Sequence, residues 1–292
     1  MRSFRSLAAV LLLALAPGMA GCGGLRVFFP SHETDSVPPE LPAELGRPAF
    51  LVFSKTNGFR HEEAIPAGIE RFRAIADAHG WSVVFTENGA VHNPQQLARF
   101  DAVVWHNVSG DVLDDAQQQA LVDYIEGGGG FVGVHGSGGD PFYDWKWYVE
   151  ELIGAQFISH TMGPQFQEAT VIVETPEHPA TRGLPPTFRH TEEWYSFDRD
   201  VRDRPGFRVL ATVDEATYSP HMKMLFMDDD IAMGDHPVVW SHCVGEGRVL
   251  YSALGHRAEA YAEPEIASLL DGAVAWAARQ AGEGCDANAD AP

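Results

Sequence analysis

His135 closes the short apolar run 131–134 and is followed by Gly136-Ser137-Gly138-Gly139. An imidazole at such a point offers a general base near neutral pH or a metal ligand. Its structural alternative is a ring that bonds a backbone carbonyl and shapes the turn. Ser137 could serve as a nucleophile, but it does not hold the G-x-S-x-G position relative to the strand end. Neither a G-K-[ST] ending nor a complete G-x-G-x-x-G follows, so the glycines read as turn geometry rather than a phosphate cradle. Glu193 stands beside Trp194 and Tyr195, and a carboxylate with stacking rings is what a sugar site needs. Trp145, Trp147 and Tyr148 are sugar contacts or, at their helical spacing, core. His160, His236 and His256 come from separate segments. With His135 and Glu193 they could build a site of nitrogen and oxygen ligands for Zn or another divalent metal, although no HExxH or CxxC fixes the geometry. His178 and His242 sit in plainer contexts and read as structural or exposed.

These groups need a scaffold, and the first half of the chain supplies a regular one. Apolar runs at 49–54, 81–86, 101–105 and 131–134 alternate with amphipathic stretches, one carrying Ile65, Ile69, Phe72, Ile75 and Ala76 to a stop at Gly80 and one capped at Asp114. A short helix is expected over 94–100. Alternation of this kind predicts βαβ units, a parallel sheet and right-handed crossovers. Ligands of open parallel sheets sit beyond the carboxyl ends of the strands. Lys55 and His61, His106 and Asn107, and His135 all follow expected strand ends, so three imidazoles can meet at one edge. Strand, sharp turn and a helix opened by Asp140-Pro141 give an elbow with the His135 side chain exposed above the sheet. Residues 144–153 read as helical, while 167–173, 189–197, 207–213, 236–243 and 248–254 read as strands of an antiparallel extension. Gly245-Glu246-Gly247 marks a hairpin turn, Pro264 opens a last helix through Ala278, and 281–292 read as a disordered tail.

The amino terminus reads differently. Arg2 and Arg5 precede an apolar run at 7–16, then Met19-Ala20-Gly21-Cys22. That is a secretory signal over residues 1–21, too short to span a bilayer. Small residues before Cys22 resemble a bacterial lipobox, which would make Cys22 the acylated first residue; the alternative is an ordinary signal cut near Gly21. Residues 22–47, with Pro30, Pro38, Pro39 and Pro42, read as anchor and linker. The expected location is the cell envelope, periplasmic or at the cell surface, with the membrane reached through the lipid. Removing the leader would make the formal charge of −21 more negative, since the leader holds two arginines and no acids. Such a surface argues against nucleic acid as a partner. Cys243 and Cys285 are a disulfide candidate in an exported chain.

Lys55-Thr56-Asn57-Gly58-Phe59-Arg60-His61, residues 128–135, Tyr143-Asp144-Trp145, Glu193-Trp194-Tyr195, Gly234-Asp235-His236-Pro237 and Gly255-His256 together resemble the motifs of ThuA-like, or trehalose utilisation, proteins. The resemblance covers roughly residues 48–280, taken as one domain. It implies an α/β fold of the flavodoxin-like, class I glutamine amidotransferase-like kind: a mostly parallel sheet with helices on both faces and an antiparallel extension. Those amidotransferases carry cysteine at the elbow; His135 stands there in this chain, which excludes thiol chemistry. The family's links to sugar catabolism and 3-keto-glycosides imply an exported lipoprotein acting on a sugar or sugar derivative by hydrolysis or proton transfer. His135, Glu193, His61 and His160 are the expected catalytic groups. Lys55, His106, Asn107, Asp144, Trp145, Trp194, Tyr195, His236 and His256 are the expected substrate contacts. His135, His160, Glu193 and His236 are the candidate ligands of a metal. The rival reading is a carbohydrate-binding protein that keeps the pocket without turnover.

Overall fold

A computed structural model describes residues 30–284 of the chain. The expected leader, the acylation at Cys22 and the tail from Cys285 on lie outside the described residues. β1 (Ala49–Phe53), β3 (Ala102–His106) and β4 (Gly130–Val134) are buried at every residue, as strands covered on both faces must be. β2 (Ser82–Thr86) is a half-buried edge. Between them run α1 (Ala64–His79), α2 (Pro94–Leu97) and α3 (Asp115–Glu126). α1 buries Ile65, Phe72, Ile75 and Ala76 and stops at Gly80, whose φ of 68° lets the chain turn away. Asp114 and Gln117 close a reciprocal capping box at the start of α3.

The second half supplies β5 (Phe157–His160), β6 (Gln167–Val173), β7 (Thr187–Glu192), β8 (Tyr195–Phe197), β9 (Arg208–Val213), β10 (His221–Met224), β11 (Met227–Asp230), β12 (Pro237–Val244), β13 (Gly247–Ser252) and α4 (Pro264–Ala277). The main sheet has nine strands in the order β2-β1-β3-β4-β13-β12-β9-β6-β7. The pairings from β2 through β13 are parallel, and those from β13 to β7 are antiparallel. This is the expected fold. Its parallel half has the flavodoxin-like order, with the switch of direction between β1 and β3. The crossovers into β2 and into β3 run opposite ways, so right-handed connections put α1 and α2 on opposite faces. α1 packs against α4, and α2 against α3.

The structure departs from expectation where local pattern was a poor guide. Asp140-Pro141 opens no helix: Asp140 accepts from the amides of Phe142 (2.8 Å) and Gly110 (2.9 Å), tying two loops. The turn after β4 is a short 3-10 helix, His135–Gly138. Within 144–153 the expected helix runs over 146–153, turning from α to π at Tyr148–Ile153 and closing at Gly154, φ 96°. The run 189–197 is two strands broken at Glu193-Trp194, and β8 leaves the main sheet to pair with β5. Pairing of β10 with β11 was not anticipated. Cys243, in β12, is disulfide-bonded.

The described part of the expected linker is a strap rather than a free spacer. Residues 30–47 contain neither helix nor strand, yet Asn57, Gln117, Asn88, Gln96 and Arg99 donate to the carbonyls of Glu33, Asp35, Val37, Pro39 and Pro42. The Asp35 carboxylate pairs with Lys55 (2.5 Å) and accepts from the Gly89 amide.

Candidate active site

Four loops deliver side chains to the carboxyl edge of the parallel strands. His61 comes from the β1–α1 loop, Asn107 follows β3, His135 follows β4, and His256 lies between β13 and α4. Glu193 joins them from the break between β7 and β8. Asn107 and His135 have φ of 54° and 45°, a left-handed conformation uncommon outside glycine. It is held by Tyr251 Oη donating to the His135 carbonyl (2.8 Å) and by the Gly136 amide donating to Asn107 Oδ1 (3.1 Å). A Cβ on Gly136 would lie 2.9 Å from the His61 ring, and one on Gly139 would lie 2.5 Å from Tyr195. These glycines therefore admit neighbouring rings. Ser137 is fully buried; its hydroxyl donates to the Trp105 carbonyl and accepts from the Val108 amide.

His135 is completely buried, not exposed above the sheet as the sequence suggests, because Tyr195 lies over it. The rings stack at 4.3 Å, and Tyr195 Oη lies 2.7 Å from Nε2. His135 Nδ1 donates to the Ala253 carbonyl at 2.7 Å, which points the Nε2 lone pair into the cluster. His256 Nδ1 lies 3.1 Å from that nitrogen and 3.0 Å from Glu193 Oε2. Glu193 Oε1 meets Gln165 Nε2 (2.5 Å) and His160 Nδ1 (3.2 Å). His61 packs edge-on to His135 (4.8 Å) and His256 (4.5 Å). Phe59 and Phe166, both 39% exposed, flank His256 at 6.2 and 4.9 Å.

Burial dominates the electrostatics. It pushes the His135 imidazole down to about 4, against the pull of Glu192 and Glu193. Burial, with His135 and His256 nearby, also holds His61 well below the ordinary histidine value. At His256 burial works the same way, but the bond to Glu193 outweighs it and raises that ring. Glu193 is lowered in turn: burial opposes ionisation and the His256 hydrogen bond overcomes it.

A supporting layer lies behind these groups. Glu192 accepts from the amides of Gly255 (2.6 Å) and Glu193 (2.9 Å) and so holds the loop that carries His256. His190 bridges Glu192 (3.3 Å) and Glu263 (2.6 Å). Neither Glu192 nor His190 was singled out from sequence. Their i, i+2 spacing on a strand, which puts both on one face, was the available signal. His106 is wholly buried, with Nε2 2.7 Å from Tyr261 Oη, and it fills the space over Gly68 that a larger residue would need.

Several expected site residues are not brought to the cluster. His236 uses both ring nitrogens elsewhere, Nδ1 with Glu215 (2.8 Å) and Nε2 with the Tyr195 carbonyl (2.7 Å). Trp194 is buried, with its indole donating to the Gln167 carbonyl. Trp145 stacks on Trp147 and Tyr148 beside Asp111, and Asp144 is exposed next to it. Lys55 is committed to Asp35.

A family model for ThuA, trehalose utilisation, matches residues 49–277. Among solved structures, a ThuA-like protein from Bacteroides uniformis is similar at 25% identity and a TM-score of 0.69, covering 82% of this chain and 94% of that one. Another from Parabacteroides merdae is similar at 17% identity and a TM-score of 0.59, covering 80% and 90%. A β-galactosidase from Rahnella sp. R3 shares the fold at 16% identity and a TM-score of 0.50, over 80% of this chain and 31% of that enzyme. No curated protein matches.

Proposed function

The chain belongs to the trehalose utilisation (ThuA) family, and from that premise we propose that it acts on a sugar or sugar derivative, in glycoside or keto-sugar catabolism, by hydrolysis or proton transfer at His135, His256 and Glu193. One observation carries the reading: His256 Nδ1 is within 3.1 Å of His135 Nε2 and 3.0 Å of Glu193 Oε2, three groups from three loops sharing protons. A carboxylate that holds an imidazole by a hydrogen bond orients it as a general base, and the base must then reach the proton it abstracts. His256, the only one of the three that is not buried, meets the substrate. In hydrolysis the attacking water gives its proton to the imidazole as its oxygen bonds the acetal carbon, and the imidazolium returns a proton to the departing oxygen. Glu193 orients His256 and balances its charge, and His160 reaches the same carboxylate from the outer side. Phe59 and Phe166 offer apolar faces on which a sugar ring can stack.

Turnover of disaccharides such as trehalose, and of their 3-keto forms, tests the reading alongside calorimetric binding. His256→Asn should lower turnover by about 100-fold or more. Neither turnover nor binding by the wild type would overturn the sugar reading. Binding without turnover would give the protein to the second reading, a non-catalytic carbohydrate-binding protein, which the burial of His135 and Glu193 favours. The leader and Cys22 support a lipoprotein of the cell envelope. Cys22→Ser should release the chain from the membrane fraction or leave its precursor uncut, and unchanged fractionation would refute the anchor.

A further inference from the structure

His61 is the anomaly of the cluster. Only 5% of its surface is exposed, and neither ring nitrogen has a hydrogen-bond partner among the described residues. A neutral imidazole always carries one N–H and one lone pair, and leaving either unmet in the interior costs about 1–3 kcal/mol. Nothing in the packing explains that cost. The ring is clamped by Phe59 at 4.8 Å and stands edge-on to two other imidazoles. One nitrogen from each of His61, His135 and His256 lies within 4.8 Å of the other two.

From this arrangement the geometry points to a binding site for a single divalent transition metal, with His61, His135 and His256 as ligands. The separation of His135 Nε2 from His256 Nδ1, 3.1 Å, is close to the roughly 3.3 Å between two nitrogens bound to one tetrahedral zinc. His135 has the outer-shell partner that metal-binding histidines need: Nδ1 donates to a backbone carbonyl, fixing the tautomer with Nε2 free to ligate. The Glu193 carboxylate, 3.8 Å from His135 Nε2, supplies a buried negative charge beside the ion. Three imidazoles select zinc, cobalt or nickel over magnesium or calcium, which take oxygen ligands. The hydroxyl of Tyr195, now 2.7 Å from His135 Nε2, would give up that bond to the ion. The set differs from the one expected from sequence: His61 enters it beside His135 and His256, while His160 and His236 drop out. Such an ion would supply Lewis acidity and a bound water of lowered pKa. The inference stands apart from the reading that the chain acts on a sugar, because it concerns what the three nitrogens hold; with an ion on His135 and His256, the proton-accepting role given above to His256 would pass to Glu193.

The test uses the chain without a histidine tag, stripped with chelator and titrated with Zn²⁺ and Co²⁺. One equivalent per chain should bind, with a rise in melting temperature and visible Co²⁺ bands of a low-coordinate nitrogen site. His61→Asn should weaken binding by more than about 100-fold, beyond what loss of a mere orienting partner costs. His236→Asn, whose ring is engaged elsewhere, should bind as the wild type does. His61→Gln, read by the same titration, covers the case in which His61→Asn misfolds. No stoichiometric binding by the wild type, or equal binding by folded His61 variants, would overturn the site. Neither readout involves a sugar, so failure here leaves the sugar reading intact, and the reverse also holds.

Discussion

His61 and His236 are both buried histidines in loops beside the cluster, yet their surroundings are opposite. His236 spends each ring nitrogen on a named partner, Glu215 on one side and the Tyr195 carbonyl on the other. His92 does likewise, between the Gly89 carbonyl and the Trp105 indole. His61 has no such partner among the described residues. Burial therefore does not separate His61 from His236 and His92; the occupation of both ring nitrogens does. His236 and His92 pin backbone with their rings, while His61 leaves both nitrogens for a group from outside the chain, as the metal proposal requires.

The largest effect that would break this contrast is on stability. His236→Ala strands the Tyr195 carbonyl, takes one of three partners from Glu215, which keeps the Met233 and Gly234 amides, and opens a cavity, at a cost of about 3 kcal/mol. For a chain of this size that is a fall of roughly 6–12 °C in melting temperature. His135→Ala should be similarly costly, because it strands the Ala253 carbonyl and the Tyr195 hydroxyl. Denaturant titration measures both, and a loss under about 0.5 kcal/mol in either would refute the structural assignment. A smaller effect is expected from His190. Burial opposes its charge, but the bonds to Glu192 and Glu263 prevail and raise it to about 9. The stability this gives is fully present below the ordinary histidine value and is lost as pH rises through about 9. Urea midpoints at rising alkaline pH should thus fall more steeply for the wild type than for His190→Gln, and parallel curves would deny the coupling. The smallest effect belongs to His61→Asn in chelating buffer, under about 1 kcal/mol, since that ring satisfies no partner. A cost equal to that of His236→Ala would erase the distinction.

Much of the frame was legible because parallel strands announce themselves. Runs such as Phe50-Leu51-Val52-Phe53 are apolar at every residue, and the topology of open sheets then puts whatever follows them at one edge. His61, His106 and His135 were placed by that reasoning. The burial of His135 was not, because its cover, Tyr195, comes from a strand 60 residues later that leaves the main sheet. The same break misled the reading of Glu193-Trp194-Tyr195. Neighbours in an extended chain face opposite ways, and only the pairing of β5 with β8 decides that Tyr195 faces the cluster while Trp194 turns into the core. His256 could be named but not paired, since its contact with Glu193 spans 63 residues.

The strap has a consequence for how this protein tolerates change. Over its middle, Glu33 to Pro42, the domain grips it mainly through carbonyl oxygens, which every residue type carries, proline included. That accounts for a segment bearing Pro30, Pro38, Pro39 and Pro42 that still docks closely. Substitutions along residues 30–47 should consequently drift with little penalty, apart from Ser31, Asp35 and Arg47, whose side chains are themselves used, and Leu41 and Leu45, which pack against the core. The constraint falls instead on the amides that do the gripping, Asn57, Asn88, Gln96 and Gln117. A saturation scan of the chain should show a stretch permissive at most positions lying against an intolerant set of polar residues, with specificity written mainly on one side of the contact.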